Sequence, residues 1–298
     1  MIGLCSRAGR PAGRRDACPT SLLWTCVLLL GAGHLAADQK TDQLLNEAQA
    51  AHRKGSLGDA LVLATKAVNG DPKNPQCYYV RGRLYAEDRE HGKALADFDQ
   101  ALALEPRGVE IYQLRAIERF KLGRFQESCV DFDKFIELVP ERAPQDWQRG
   151  IAYYYAGRYE DGRKQFELHQ TVNPNDVENA VWHFLCVARL SDGTKARASL
   201  LPIKDDPRVP MMQIYAVFAG KAKPEAALAA AKGGYSSLAQ LNRQRFYANF
   251  YMGLFYEASG NQTLARRYVT EAAENYKADD YMGDVARVHA ELLRKGGR

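Results

Sequence analysis

The sequence lacks the common motifs of catalysis and cofactor binding. It contains no HExxH zinc motif, no GxSxG nucleophile turn, no GxxxxGK[ST] phosphate loop and no GxGxxG turn. The histidines beyond residue 37 are scattered rather than clustered: His52, His91, His169, His183 and His289. We therefore predict a protein that is not an enzyme and that holds no cofactor and no metal ion. The alternative that stays open is an accessory envelope enzyme whose active site has no recognised motif.

The sequence also has few cysteines and a small net charge. Of the six cysteines, three precede residue 38, and the remaining three lack any CxxC spacing: Cys77, Cys129 and Cys186. We interpret these three as small side chains that fill the core, and one disulfide pair among them stays open. Residues 1–37 carry four arginines and one aspartate, so only +2 of the net charge of +5 belongs to the rest of the chain. Nucleic-acid binding therefore gains no support.

A long hydrophobic run is missing too, because the apolar segment from Ser21 to Ala37 is shorter than the ~20 residues of a membrane-spanning helix. Arginines precede this segment, and the small residues Ala36 and Ala37 end it. This plan is typical of a cleaved secretory signal, so we predict an exported protein, periplasmic or secreted, whose mature chain starts near Asp38. The alternative is an uncleaved signal that anchors the chain in a membrane.

Four of the prolines recur at a fixed spacing along the chain. Four prolines follow one another at intervals of 34 residues: Pro72, Pro106, Pro140 and Pro174. The repeat that they mark carries glycine, alanine and aromatic residues at matching places, for example Gly82, Tyr85, Ala94, Phe98 and Ala101 in the second copy. The sequence thus resembles the tetratricopeptide-repeat family, whose 34-residue unit is a helix-turn-helix.

Each residue type has a physical task in such a unit. Small side chains such as Gly82 let two antiparallel helices approach closely, while Gly55, Gly123 and Gly157 suit a left-handed residue between them. A proline cannot donate a backbone hydrogen bond and disfavours helical geometry before it, so each proline marks the end of a second helix.

The period weakens after Pro174 and returns near the end. A fifth unit begins with a helix at Val177, and residues 208 to 240 are irregular, with a helix near Met211 to Phe218 and another opened by Pro224. A further unit and a last helix, near Asp280 to Lys295, follow. The resemblance implies an all-α, right-handed solenoid with a degenerate middle section and a C-terminal capping helix. We predict these domains: a signal peptide at 1–37, four regular units at 41–176, a degenerate section at 177–240, and a last unit with its capping helix at 241–298.

The overall plan is also similar to a family of bacterial envelope proteins called new lipoprotein I. The stretches that carry this similarity are NPNDVENAVWHFLCVARL, IYAVFAGKAKPEAAL and FYANFYMGLFYEASGNQTLARRYV. The resemblance implies a homodimer that acts as an adaptor between an envelope protease and cell-wall hydrolases. The lipidation cysteine of that family is missing here, so no permanent membrane anchor is expected.

A tetratricopeptide solenoid binds protein or peptide partners in a concave groove lined by the first helix of each unit. The resemblance places nine residues in this groove: Tyr79, Arg83, Gln113, Ile117, Phe120, Trp147, Ile151, Tyr154 and Tyr155. We predict that they bind a protein partner, because Trp, Tyr and Arg dominate binding hot spots. The alternative is that Trp147 and the tyrosines complete the core. Leu45 and Gln49 replace the lysine and asparagine of the family's chaperone-tail binders, so such a ligand is not expected.

Overall fold

The computed structural model describes residues 39–234 and 237–296, and every regular element in these ranges is helical. The predicted signal peptide and its cysteines lie outside the described residues. The chain divides into two compact units, one ending at Pro72 and the other beginning at Lys73. The all-α tetratricopeptide fold predicted from the 34-residue period is confirmed. The predicted domain boundaries stay a prediction.

The first compact unit contains one helix pair, α1 (residues 39–53) and α2 (Leu57–Gly70). Alanines pack the two helices closely, since Ala48, Ala60 and Ala64 have no exposed surface. Gly55 lies between the helices with a φ of +79°, as the sequence predicts. Leu45 is buried, so its side chain has a core position in this unit.

The second compact unit contains the remaining helices, most of them packed against the next one along the chain. In chain order they are α3 (Pro75–Glu87), α4 (His91–Leu104), α5 (Val109–Lys121), α6 (Phe125–Leu138), a 3₁₀ helix η1 (Pro140–Gln145), α7 (Trp147–Tyr155), α8 (Tyr159–Gln170), α9 (Val177–Leu190), α10 (Gly193–Ala198), α11 (Met211–Phe218), α12 (Pro224–Ala230), α13 (Leu238–Ala258), α14 (Gln262–Asn275) and α15 (Tyr281–Arg294). The helices α4, α6 and α8 each end just before Pro106, Pro140 and Pro174, respectively.

Close approach of the paired helices explains the glycine at position 82. A Cβ atom added to Gly82 would lie 2.9 Å from a ring carbon of Phe98, on the second helix of the same repeat. Gly150 stands in the same relation to Phe166, at 2.7 Å. A larger residue at either position must therefore displace a buried aromatic ring.

Charged residues form a ladder that repeats with the same 34-residue period. On the first helices, Arg81, Arg115 and Arg149 each reach the residue sixteen positions later, on the second helix of their own repeat: Asp97, Asp131 and Gln165. Arg115 and Arg149 also reach back sixteen positions to Asp99 and Asp133 of the preceding repeat. These bonds connect consecutive repeats through half-buried ion pairs, which supplement the apolar contacts between them.

The first helices of the repeats, α3, α5, α7 and α9, form one face, which we call the first-helix face, and the C-terminal helices return to its α5, α7 and α9 part. Tyr281 of α15 packs 5.5 Å, ring centroid to ring centroid, from both Phe120 of α5 and Trp147 of α7. The α13 helix packs on α9, where Phe250 lies 6.4 Å from Trp182. The α15 helix thus follows and contacts α14, as expected of a last helix, and additionally packs against α5.

The three cysteines beyond residue 37 have the core role that the sequence predicts. Cys77, Cys129 and Cys186 are buried, and within the described residues no disulfide joins any two of them. Burial raises the pKa of the Cys129 thiol to about 12, so this side chain stays protonated at neutral pH.

Candidate protein-binding surface

The part of the first-helix face that remains open to solvent belongs to α3 and the beginning of α5. Arg83 is exposed, and its guanidinium lies 5.7 Å from the centre of the Tyr79 ring. The Tyr79 hydroxyl donates to Glu110 at 3.3 Å, and Gln113 on α5 is partly exposed. These side chains offer an aromatic ring, a cation and hydrogen-bonding groups on one surface, which is the chemistry of a protein-binding hot spot.

Four of the nine residues predicted to line the groove are instead buried by the chain itself: Phe120, Ile151, Tyr154 and Tyr155. At these positions the expectation of an accessible groove is corrected: Phe120 and Tyr155 pack against α15, and Tyr154 packs against Tyr159 of α8 and Trp182 of α9. The hydroxyl of Tyr155 and Nδ1 of His289 on α15 form a hydrogen bond of 2.8 Å, and Phe120 lies between three aromatic rings. Ile117 is partly buried against the same core. Partner binding by these residues stays untested.

The turn of the second repeat contains a residue that sequence reasoning missed. Arg89 lies 34 residues after Gly55 and 34 before Gly123, at the position that glycine occupies in those repeats. Among the described residues it is the one non-glycine residue with a positive φ, +60°. Its guanidinium pairs with Asp284 of α15 at 3.2 Å and with Asp279, which precedes that helix, at 3.3 Å. The interruption of the glycine period was the available signal for this contact.

Two further positively charged side chains surround Asp284. Lys121 of α5 lies 3.6 Å from it, and Arg287 donates a 2.5 Å hydrogen bond to it. Although burial raises the pKa of this carboxyl, the Arg287 hydrogen bond and the positive charges of Lys121 and Arg89 hold it below its usual range. The Asp284 carboxylate is therefore ionised at neutral pH and fastens α15 to the second and third repeats.

A cavity of about 370 Å³ opens beside the covered part of the first-helix face. Trp147, which the sequence assigns to the groove, lies half-buried on its wall together with Tyr281. Acidic residues line the same cavity: Asp176 and Glu178 of α9 and Asp280 at the start of α15. We call this site the acidic aromatic cavity.

One cation also lines this cavity. The Arg208 guanidinium pairs with Asp176 at 2.7 Å and with Glu178 at 2.6 Å, and it also pairs with Asp206 at 2.6 Å. Burial, followed by repulsion from Asp176, raises the pKa of the Glu178 carboxyl to about 7 although Arg208 opposes the shift. Tyr251 of α13 donates a 2.5 Å hydrogen bond to Glu178.

A second carboxyl with a raised pKa lies at the start of α7. Burial raises the pKa of Asp146 to about 6, while the positive charge of Arg149 opposes the shift. Asp146 is the residue directly before the helix, so its carboxyl lies at the positive end of the helix dipole, which also favours the ionised form. Burial outweighs both effects.

The described ranges contain no cluster of three or more His, Cys, Asp or Glu side chains arranged to hold a metal ion. In the same ranges no helix combines the length and the apolarity that crossing a membrane requires.

Comparison with known families matches the second repeat. A tetratricopeptide-repeat model matches residues 75–107, which cover α3 and α4. Together with the helix pairs and the 34-residue period, this match supports a tetratricopeptide repeat at residues 75–107 within a chain of the same fold.

Solved structures show the same fold at low sequence identity. A tetratricopeptide repeat protein from Parabacteroides merdae is 18% identical, with a TM-score of 0.56 over 86% of this chain and 99% of that one. YrrB, described as a TPR protein with an unusual peptide-binding site, is 18% identical, with a TM-score of 0.50 over 64% of this chain and 91% of its own. MamA is 16% identical, with a TM-score of 0.50 over 53% of this chain and 87% of its own.

Proposed function

We propose that this protein is a non-catalytic scaffold that binds a protein partner on the open part of the first-helix face. The observation that carries the proposal is the exposed Arg83 stacked on Tyr79, because α15 covers the later repeats but leaves this surface free. Arginine and tyrosine lose little conformational freedom on binding when they are already stacked. A protein-binding role also agrees with the tetratricopeptide fold.

The finer form of the proposal concerns place and partner. The arginines, the apolar run and Ala36-Ala37 support export through a cleaved signal. The similarity in plan to the envelope lipoprotein family supports a link between an envelope protease and cell-wall hydrolases, with homodimerisation as part of that role. The peptide-binding site described for YrrB supports a peptide segment as the element recognised.

Photo-crosslinking tests the binding surface directly. A photoreactive amino acid in place of Gln113 is introduced into the exported protein, and the crosslinked partner is identified by mass spectrometry and then purified. Titration calorimetry with that partner follows. We expect Arg83→Ala to weaken binding by about 1 kcal/mol or more while helicity stays normal.

A matched control exists on α14, where Arg267 is exposed and stacks 5.4 Å from the centre of the Tyr268 ring. Arg267→Ala removes the same charge and the same type of stacking, and we expect it to leave binding unchanged. Equal losses in the two variants would indicate a general charge effect. Unchanged binding in Arg83→Ala would mean that the partner binds to another surface of the protein. Turnover of an envelope substrate by the purified protein alone would favour the enzyme alternative.

A further inference from the structure

The acidic aromatic cavity has more negative than positive charge. Its lining contains the carboxylates of Asp176, Glu178 and Asp280 but a single cation, Arg208, which is shared with a further carboxylate, Asp206. Outside the cavity, Arg243 approaches Asp280 at 3.4 Å, but its side chain is 60% exposed and the pair is weak. The cavity therefore attracts a positively charged group.

Burial is the first cause of the raised pKa of Glu178, and repulsion from Asp176 is the second. The charged and titratable groups around the carboxyl are Asp176 and Arg208 on one side and Tyr247 and Tyr251 of α13 on the other. Because burial and repulsion from Asp176 together outweigh the attraction of the Arg208 guanidinium, Glu178 binds a proton near neutral pH.

The walls are suited to a cation as well. The rings of Trp147 and Tyr281 are nearly perpendicular, at 80°, and both keep part of their surface open. Such rings attract a cation through their negative faces and also cover its alkyl stem. Among the lining residues, Asn179 Oδ1 and Trp182 Nε1 are buried and have no hydrogen-bond partner among the described residues, which is a costly arrangement.

We propose that the acidic aromatic cavity binds a lysine or arginine side chain of a peptide segment, held by the carboxylate of Asp280 and by the rings of Trp147 and Tyr281. This inference rests on the proposed protein-binding function and adds a second contact point for the partner. The cavity volume of about 370 Å³ is large enough for a side chain of either type.

The tryptophans make the test specific. The chain has three tryptophans, and two of them, Trp147 and Trp182, line the cavity. The ¹⁵N-labelled full chain is titrated with the probe acetyl-Gly-Gly-Lys-Gly-Gly-amide, and the indole N–H resonances are followed by NMR. A Trp147→Phe variant assigns its signal. Peptides with arginine or glutamine at the central position form the other two arms.

We expect the lysine and arginine peptides to shift the indole resonances of Trp147 and Trp182 in a saturable manner, whereas the glutamine peptide shifts neither. Asp280→Asn keeps a side chain that can cap α15 but removes the charge, and it should weaken binding roughly fivefold or more. Asp279→Asn is the matched control, because its side chain is 91% exposed and it lies next to Asp280 but outside the cavity lining. It should change the affinity less than about twofold.

Three results would overturn the inference: the absence of saturable shifts, equal binding of the glutamine peptide, or equal losses in Asp279→Asn and Asp280→Asn. The experiment does not depend on Arg83, so it separates the two proposals. A cavity that binds the lysine peptide while Arg83→Ala leaves partner binding intact contradicts only the proposed α3 surface. A partner that requires Arg83 while the cavity stays unresponsive contradicts only the cation site.

Discussion

The first helices of the second and fourth repeats, α3 and α7, follow the same sequence pattern but have opposite environments. On α3, Tyr79 is partly exposed and Arg83 is exposed. On α7, Tyr154 and Tyr155 retain 2% and 4% of their surface. The difference arises because Tyr155 packs against His289 of α15, while Tyr154 packs against Trp182 of α9, which in turn contacts Phe250 of α13. A repeat pattern thus defines the pair of helices but not whether its first-helix face is available to a partner.

The test with the largest expected effect replaces one aromatic residue on the covered part of the first-helix face and one on its open part. Phe120→Ala removes a fully buried ring that lies 5.1 Å from Tyr155 and 5.5 Å from Tyr281, and we expect a loss of about 3–5 kcal/mol in the free energy of unfolding. Tyr79→Ala, on the open surface, should cost less than about 1.5 kcal/mol. Urea denaturation measures both. Equal losses would mean that α15 does not cover the end of α5 in solution.

The second test asks whether the open repeat is nevertheless tightly packed. Gly82→Leu forces a side chain into the space occupied by Phe98, and overpacking of this kind costs about 1–3 kcal/mol. Lys93→Ala, at an exposed position of α4, serves as the control and should stay within about 0.5 kcal/mol of the parent protein. Thermal unfolding compares the two variants. Identical melting temperatures would show that the repeat register assigned to α3 is wrong.

The third test uses pH at the start of α7. The pKa of Asp146 is about 6 in the folded protein, above the ordinary value of 3.8 that applies when the chain is unfolded. The folded state therefore binds this proton more tightly, so the carboxyl costs no stability below pH 3.8 and its cost grows as the pH rises to about 6 and then stays constant.

Asp146→Asn removes this titration. Relative to the parent protein, the variant should gain about 2–3 kcal/mol between pH 4 and pH 7, as measured by urea denaturation at both values. Asp279→Asn, which removes one negative charge at an exposed position, is the control for the change in net charge. If the stability difference between Asp146→Asn and the parent protein does not change with pH, the carboxyl is solvated rather than buried.

The sequence predicts the regular parts of the fold because they repeat. The prolines predict the ends of α4, α6 and α8, and the irregular helices α11 and α12 lie where the apolar run and Pro224 place them. The arginine ladder has the same period, so it could have been read from Arg81, Arg115 and Arg149. Such features depend on neighbours that are close in the chain or one repeat away.

The covered face could not be predicted in this way. The contacts of His289 with Tyr155 and of Arg89 with Asp284 join residues 134 and 195 positions apart, and no period relates them. Aromatic residues on a first helix fit either a binding groove or a core, because both surfaces select the same side chains. The position of α15 decides between the two, and only the three-dimensional structure supplies it.

The test with the smallest expected effect concerns Arg89, which lies in the turn of the second repeat and pairs with Asp284 of α15. Arg89→Gly removes its ion pairs with α15 but also removes the cost of a left-handed backbone, which is about 1 kcal/mol for a residue with a side chain. The two effects oppose each other, so the melting temperature should change little. Arg89→Ala loses the same ion pairs and keeps the backbone cost, so it should be less stable than the glycine variant by about 1 kcal/mol.

Amide hydrogen exchange separates the two contributions. Both Arg89 variants should exchange faster than the parent protein in α15, because the partly exposed pairs with Asp284 and Asp279 are lost in each. Gly123→Ala is the control for the backbone effect alone: its φ is +75° and a Cβ there meets no neighbour within 4 Å, so it should lose stability without faster exchange in α15. If exchange in α15 is unchanged in both Arg89 variants, then Lys121 and the aromatic contacts of Tyr281 hold the helix without Arg89, and its left-handed backbone needs another explanation.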